Sequence, residues 1–284
     1  MERLFAGAAD LAAQYPALRL IPLLALALMA VEWLYARLAL HDVETYDLRE
    51  TAASLAIAIG NQIIRPLTAG LTAVPLFLAW DYRLFDIPTR ALGLATLFVL
   101  VDFAAYWHHR AAHRIRFLWA THAVHHSATR FNLSCAIRLG WTGAFSGVIF
   151  FYLPIVLIGF HPLAVLGMVG LNLVYQFVLH TEHVPPLGPV EWVMNTPTHH
   201  KVHHASNAGC LDRNYGGVFI VWDRLFGTFA RAPEDEALRY GLVGEDGPSR
   251  NPLVIQFREW LRLARDVTRA PGLRARLRAL FGAP

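Results

Sequence analysis

Charge is scarce in this chain. Only 16% of its 284 residues are Asp, Glu, Lys or Arg, against 55% hydrophobic and 12% aromatic. A soluble domain carries about a quarter charged residues, and several stretches here approach the ~20 apolar residues of a bilayer-spanning helix. Composition therefore excludes an ordinary soluble protein and points to an integral membrane protein. Cysteine is nearly absent: Cys135 and Cys210 are far apart without CxxC spacing, which argues against a disulfide framework and a thiolate metal site. Neither CxxCH nor GxGxxG occurs, so the chain carries no evident haem or flavin module of its own. HExxH, the zinc-hydrolase pattern, is missing too. No internal repeat or low-complexity tract is present. Met1 to Pro16 has two acids and one Arg and lacks the basic start and small-residue cleavage site of a signal peptide.

Acid is absent from Arg110 to Thr142, which holds Arg110, Arg114, Arg116, Arg130 and Arg138. Arginines crowding the polar segments beside hydrophobic ones mark the cytoplasmic side of a membrane, a better reading of the net charge of +4 than nucleic-acid binding. The expected spans are Leu18–Leu40, then Thr51–Trp80, then about Thr89 to Trp107, and finally a hairpin of Gly143–Phe160 and Leu163–Leu179 turning at His161-Pro162. Arg65-Pro66 divides Thr51–Trp80 into halves too short to cross alone, so that stretch is one long kinked helix or a re-entrant pair. The orientation of Met1 depends on that choice. The fold expected is all-α, with four or five hydrophobic membrane segments carrying a cytoplasmic His-rich helical cap. The expected divisions are 1–90 for N-terminal membrane segments, 91–230 for the His-bearing domain and 231–284 for a cytoplasmic tail. In that tail Arg258, Arg262, Arg265 and Arg269 stack opposite Leu253, Phe257, Trp260, Leu261 and Ala264. This pattern fits either an interfacial helix on anionic lipid or a solvated face packed on the body.

Histidine is abundant instead. Twelve of fourteen fall in four clusters: His108, His109 and His113; His122, His125 and His126; His180 and His183; His199, His200, His203 and His204. His41 and His161 stand apart in loops. Spacings of three and four residues put cluster members on one helix face, and neutral imidazole is a donor for iron, zinc, copper or nickel. Soluble di-iron proteins draw most ligands from Glu, whereas these clusters are almost free of carboxylates. Eight to ten imidazoles exceed the needs of one ion and suit two, with about five each. The hairpin returns His180 and His183 to the side of His109 and His126, so the histidines gather on one membrane face.

The order HxxxH, HxxHH and, after a hairpin, HxxHH resembles the fatty acid hydroxylase/sterol desaturase superfamily of membrane di-iron oxygenases. The resemblance runs from about Asp102 to Phe229. It includes Asp102-Phe-Ala-Ala-Tyr-Trp-His-His-Arg-Ala-Ala-His113, His122-Ala-Val-His-His126 and His200-Lys-Val-His-His204, then Asn214-Tyr-Gly216 and Trp222-Asp-Arg-Leu-Phe-Gly-Thr228. The stretch from His180-Thr-Glu through Asn195-Thr-Pro looks most like the branch containing alkylglycerol monooxygenases and bacterial sterol-desaturase-like proteins.

That resemblance implies His109, His113, His122, His125, His126, His180, His200, His203 and His204 as metal ligands, with His183 as a weaker tenth and His108 and His199 as supporting residues. Asp102, Tyr106 and Glu182 are the candidate catalytic residues. Asp102 and Tyr106 share a helical stripe with His109 and His113, and Asp102 either orients a ligating imidazole or pairs with an arginine such as Arg110. Glu182 is expected to act like Asp102, and Asp223 to tie the tail to the cap. The implied function is O2-dependent hydroxylation of a lipid C–H bond of sterol, fatty acyl or alkyl-glycerol type. It requires two Fe ions (zinc being possible in purified protein), an external electron donor and no nucleic acid. Desaturation at the same site is the alternative within the class. A divalent-metal transporter is the alternative outside it, although transport sites sit near the bilayer midplane.

Overall fold

The computed structural model describes residues 20–245 and 247–284, so Met1–Pro16 and the first two residues of the expected span Leu18–Leu40 lie outside it. Two compact units are present, one ending at Tyr46 and the other running from Asp47 to Pro284. The first contains α1 (Ile21–Leu38), followed by a turn in which the Tyr46 hydroxyl donates to the Glu32 carboxylate at 2.5 Å.

The second unit begins with α2 (Leu48–Trp80), whose N-cap Asp47 accepts from the Arg49 and Glu50 amides. Thr51–Trp80 is thus one continuous helix with Pro66 and Pro75 inside it, not a re-entrant pair. Its first turns are tied to the cap. Buried Arg138 donates to the Ser54 hydroxyl (3.0 Å) and the Glu50 carbonyl (3.1 Å), and pairs with the Glu50 carboxylate at 3.5 Å. The Trp141 indole donates to the Ile57 carbonyl, and Asn61 Nδ2 to the Leu139 carbonyl. Helix α3 (Ala91–Arg114) follows, extending two turns past the expected end at Trp107. The helices α1, α2 and α3 are long and apolar enough to cross a membrane.

Next come α4 (Arg116–His126) and the short α5 (Leu133–Ala136). Gly143–Phe160, read from its apolarity as a span, is not one helix. It is a series of turns, a 3-10 turn at Val148–Phe151 and α6 (Leu153–Ile158). Gly147 at φ +76° and Gly159 at φ +133° interrupt it, and a Cβ on Gly159 would collide with the Phe85 carbonyl. Its side chains are apolar because Ile149, Tyr152, Ile155 and Val156 fill a core with Leu76, Leu97 and Val101. Hydropathy alone does not separate such a segment from a lipid-facing one. Helix α7 (Pro162–Phe177) then runs back, capped by His161, whose Nδ1 accepts from the Leu163 amide at 3.2 Å.

The cap adds α8 (Pro197–His204), α9 (Val221–Leu225), α10 (Pro252–Arg269) and α11 (Gly272–Phe281). The tail helix is packed on the body along one face. Helix α10 buries Ile255, Gln256 and Leu263 and neutralises Arg258 and Arg262 on Glu245 and Glu259, while Leu253, Phe257 and Leu261 stay exposed.

Asp102, fully buried on α3, accepts from Asn172 Nδ2 (2.7 Å), the Val218 and Phe219 amides (2.7 and 3.0 Å) and Trp222 Nε1 (2.9 Å). Helices α3 and α7 are thereby pinned to the loop entering α9. Only glycine fits at position 217, where a Cβ would lie 2.8 Å from Asp102 Oδ1. Asp102→Ala would strand four interior donors, at about 1–3 kcal/mol each. We expect it to lower the thermal unfolding midpoint in detergent far more than Arg110→Ala does. An unchanged midpoint would show that this carboxylate does not hold the loop.

Candidate metal centre

Each helix end in the cap delivers histidines at turn spacing. His109 and His113 come from the last turns of α3, His122, His125 and His126 from α4, His180 from just beyond α7, and His200, His203 and His204 from α8. Their rings form two neighbouring groups, His109, His113, His122, His126 and His203 in one and His125, His180, His200 and His204 in the other. Within each, one nitrogen per residue lies within 4.8 Å of all the rest. In the first, Nε2–Nε2 separations are 3.0 Å for His109–His122, 3.2 Å for His122–His126 and 3.1 Å for His126–His203. In the second they are 3.1 Å for His125–His180, 3.0 Å for His180–His200 and 3.2 Å for His200–His204.

Nitrogen–nitrogen hydrogen bonding cannot account for all of these contacts at once. His109 Nδ1 lies 2.8 Å from the Tyr215 carbonyl, His203 Nδ1 2.8 Å from the Arg213 carbonyl and His180 Nδ1 2.9 Å from the Gln176 carbonyl. A carbonyl only accepts, so these Nδ1 atoms carry the proton and each Nε2 presents a lone pair to its neighbours. His113 Nε2 is buried with no hydrogen-bond partner. Burial lowers the pKa of His122, His125, His126, His200, His203 and His204 well below the ordinary value, with neighbouring imidazoles adding to it. Burial also brings His180 to about 4, against the raising effect of its bond to Gln176. Neutral imidazoles with converging lone pairs are what a metal ion needs. At a metal–nitrogen distance of about 2.1 Å, adjacent ligands of an octahedral ion lie about 3.0 Å apart and those of a tetrahedral ion about 3.4 Å apart. The 3.0–3.2 Å separations are of the size found between neighbouring ligands on one ion.

Sequence reasoning looked for a carboxylate behind the ligands, but the acceptors are mainly backbone carbonyls. Two of them, at Arg213 and Tyr215, belong to a loop held in an unusual conformation, with Asp212 at φ +60° and Asn214 at φ +55°. Asn214 donates to the His199 and Ala230 carbonyls and accepts from the Ala230 amide. Asp223 accepts from the Tyr215 and Gly216 amides and the Thr228 hydroxyl, tying this loop to the end of the domain. The Asn-Tyr-Gly pattern was visible in the sequence, but carbonyls leave no side-chain signature. Asn214 is the one signal, since asparagine tolerates the left-handed region better than most residues.

The remaining candidates lie elsewhere. His183 belongs to neither group. Asp102 bonds neither an imidazole nor Arg110 but anchors the loop above, because the four donors of α7 and the α9 entry saturate it. Glu182 is exposed and accepts from the Tyr240 hydroxyl at 2.5 Å. Its link to the centre is indirect, since Tyr240 stacks on Phe131 and Phe131 lies against His180, His200 and His204. The Tyr106 hydroxyl meets the Thr228 hydroxyl at 3.0 Å and accepts from Arg110 at 3.1 Å, so it braces the Asp223 network. His108 packs edge-on to Phe151, and His199 edge-on to Phe229. Neither joins a group.

A cavity of about 340 Å³ opens beside the centre, bordered by His109, His122, His125, His180 and His200 and walled by apolar residues such as Leu166 and Leu173. Its volume lies in the range, about 300–1,000 Å³, that encloses a small ligand.

Residues 94–228 match the family model described as fatty acid hydroxylase. The chain is 50% identical over 166 residues to an alkylglycerol monooxygenase of Danio rerio, covering 58% of this chain and 36% of the relative. It is 39% identical over 208 residues to the Homo sapiens alkylglycerol monooxygenase (72% and 45% covered). Against an ornithine lipid hydroxylase of Rhizobium tropici it is 27% identical over 206 residues (72% and 61% covered). It spans about a third to a half of the length of the alkylglycerol monooxygenases it matches. No solved structure matches it. Residues 94–228, which enclose all nine histidines of the two groups, are thus a fatty acid hydroxylase domain.

Proposed function

We propose that the protein is a membrane oxygenase that hydroxylates a C–H bond of a lipid with O2. The observation that carries the proposal is the pair of adjacent imidazole groups beside an apolar cavity. His109, His113, His122, His126 and His203 would hold one iron, and His125, His180, His200 and His204 the other. Bound there, two iron ions supply O2 activation and the oxidising power to break a C–H bond, with electrons from a separate protein or small reductant. The chain's own residues do the rest. Carbonyls of Tyr215, Arg213 and Gln176 fix which ring nitrogens face inward. Apolar side chains exclude water and present the lipid to the centre from the bilayer. The alkylglycerol monooxygenase and lipid hydroxylase relatives support hydroxylation over desaturation, and an ether-glycerol lipid as substrate. A transporter is disfavoured because the histidines sit at the cap ends of helices, whereas transport sites sit near the midplane.

His126→Ala and His204→Ala, one from each group, should each lower turnover at least about a hundredfold while the protein still inserts. His161→Ala removes a helix cap and edge contacts with Trp80 and Phe77, and should cost about 1–2 kcal/mol with activity retained. Equal loss of activity in all three would contradict the assignment.

With a lipid substrate, a reductant and 18O2, the first product should carry one labelled oxygen. An unlabelled product with a new carbon–carbon double bond would make the enzyme a desaturase.

The arginine-rich cap is assigned to the cytoplasm. Native Cys135 and Cys210 are buried and position 208 is exposed. A cysteine in place of Ala208 should therefore resist an impermeant thiol reagent in intact cells and react once the membrane is opened. Labelling in intact cells would reverse the orientation.

A further inference from the structure

We infer that Arg65 selects a lipid with an anionic headgroup, an inference that rests on the lipid-oxygenase reading above. Arg65 is the only charged residue between Gln62 and Trp80 on α2. It lines the same cavity that reaches His109, His122 and His125. A cation inside a membrane segment is costly and is retained where it pairs or serves a pathway. No acidic side chain among the described residues pairs with Arg65, whereas the intramembrane acid Asp102 is saturated by four donors. The cavity is thus left with one unmatched positive charge on a largely apolar wall.

The position of that charge suits a headgroup. The last hydrogen bond between α2 and the cap is made by Asn61, to the Leu139 carbonyl. Arg65 lies one turn, about 6 Å, further along. Leu139 and Gly140 line the cavity together with Arg65 and His122, so the arginine sits where the cap meets the membrane helices and not deep among lipid tails. Thr72, two turns on, faces the same space, and Leu166, Val169 and Leu173 supply an apolar wall for a chain. A guanidinium offers a planar fork of donors that matches a phosphate or carboxylate in two places. A neutral headgroup would leave it unpaired.

The test is equilibrium binding to the full chain in detergent, without reductant, using radiolabelled hexadecyl phosphate and hexadecanol. Wild type should bind the phosphate at least about tenfold more tightly than the alcohol, the advantage of a charge-assisted hydrogen bond. Arg65→Met removes a charge from a membrane helix and so favours insertion. It should erase the preference while binding the alcohol as before, and Arg65→Lys should keep part of it. Inorganic phosphate at millimolar concentration should not displace the lipid. Equal binding of both lipids by wild type, a preference surviving in Arg65→Met, or displacement by inorganic phosphate would each overturn the inference. Because no turnover is involved, a failure of the oxygenase reading would appear in the 18O experiment alone and leave this binding result standing.

Discussion

Nine imidazoles crowd into two groups with ring nitrogens as close as 3.0–3.2 Å, and His109, His180 and His203 turn bare lone pairs inward, an unfavourable arrangement unless something positive lies among them. Much of the cap's construction follows from that constraint. The protons of His109, His203 and His180 are drawn outward onto carbonyls, so the inward nitrogens are bare. Those carbonyls must themselves be held still, and the means are two buried carboxylates. Asp223 grips the Tyr215 and Gly216 amides, and Asp102 grips two amides further along the same loop, at Val218 and Phe219. Both acids act at one remove from the imidazoles. A carboxylate in direct contact with each ligand would add negative charge to a dry site, whereas carbonyls fix the same tautomer without it.

A second buried ionic element holds the opposite side. Arg138, with Glu50, Ser54 and Ser127, locks the start of α2 to the loop after α4. Trp141 lies flat against Gly60, where any Cβ would meet the indole ring. These contacts keep α2 within the cap for its first turns, so the cavity beside the histidines is walled by α2, α3 and α7 together. Under the proposed function, two imidazole groups at the cap ends of apolar helices, with a cavity beside them, would bring oxidising chemistry within reach of a bilayer lipid.

Much of this was legible in the sequence, for a physical reason. Metal ligation demands particular side chains at particular spacing, so His109-x-x-x-His113, His122-x-x-His-His126 and His200-x-x-His-His204 announce themselves, and long apolar runs announce α1, α2 and α3. What escaped was whatever depends on backbone or on burial by protein. The carbonyls of Arg213, Tyr215 and Gln176 have no residue-type signature. Gly143–Phe160 is as apolar as a membrane span because it fills the core, and its glycines broke the helix that hydropathy suggested. Carboxylates commonly stand behind ligands, which makes Asp102 and Glu182 candidates for that role, with an arginine partner the alternative for Asp102. In the fold one is consumed by a loop and the other by Tyr240. His183 has the spacing of a ligand, yet it lies in the irregular chain after α7 and not on a helix, so its distance in sequence from His180 does not place it on a shared face.

The central claim is that imidazole nitrogen, and almost nothing else from the protein, surrounds two ions. X-ray absorption spectroscopy of the iron-loaded protein addresses it directly. With five histidines in one group and four in the other, the spectrum should show an average of between four and five imidazole nitrogens per iron, with the outer-shell scattering typical of the ring and no sulphur. A first shell dominated by carboxylate oxygen, or one without imidazole outer-shell scattering, would contradict the account.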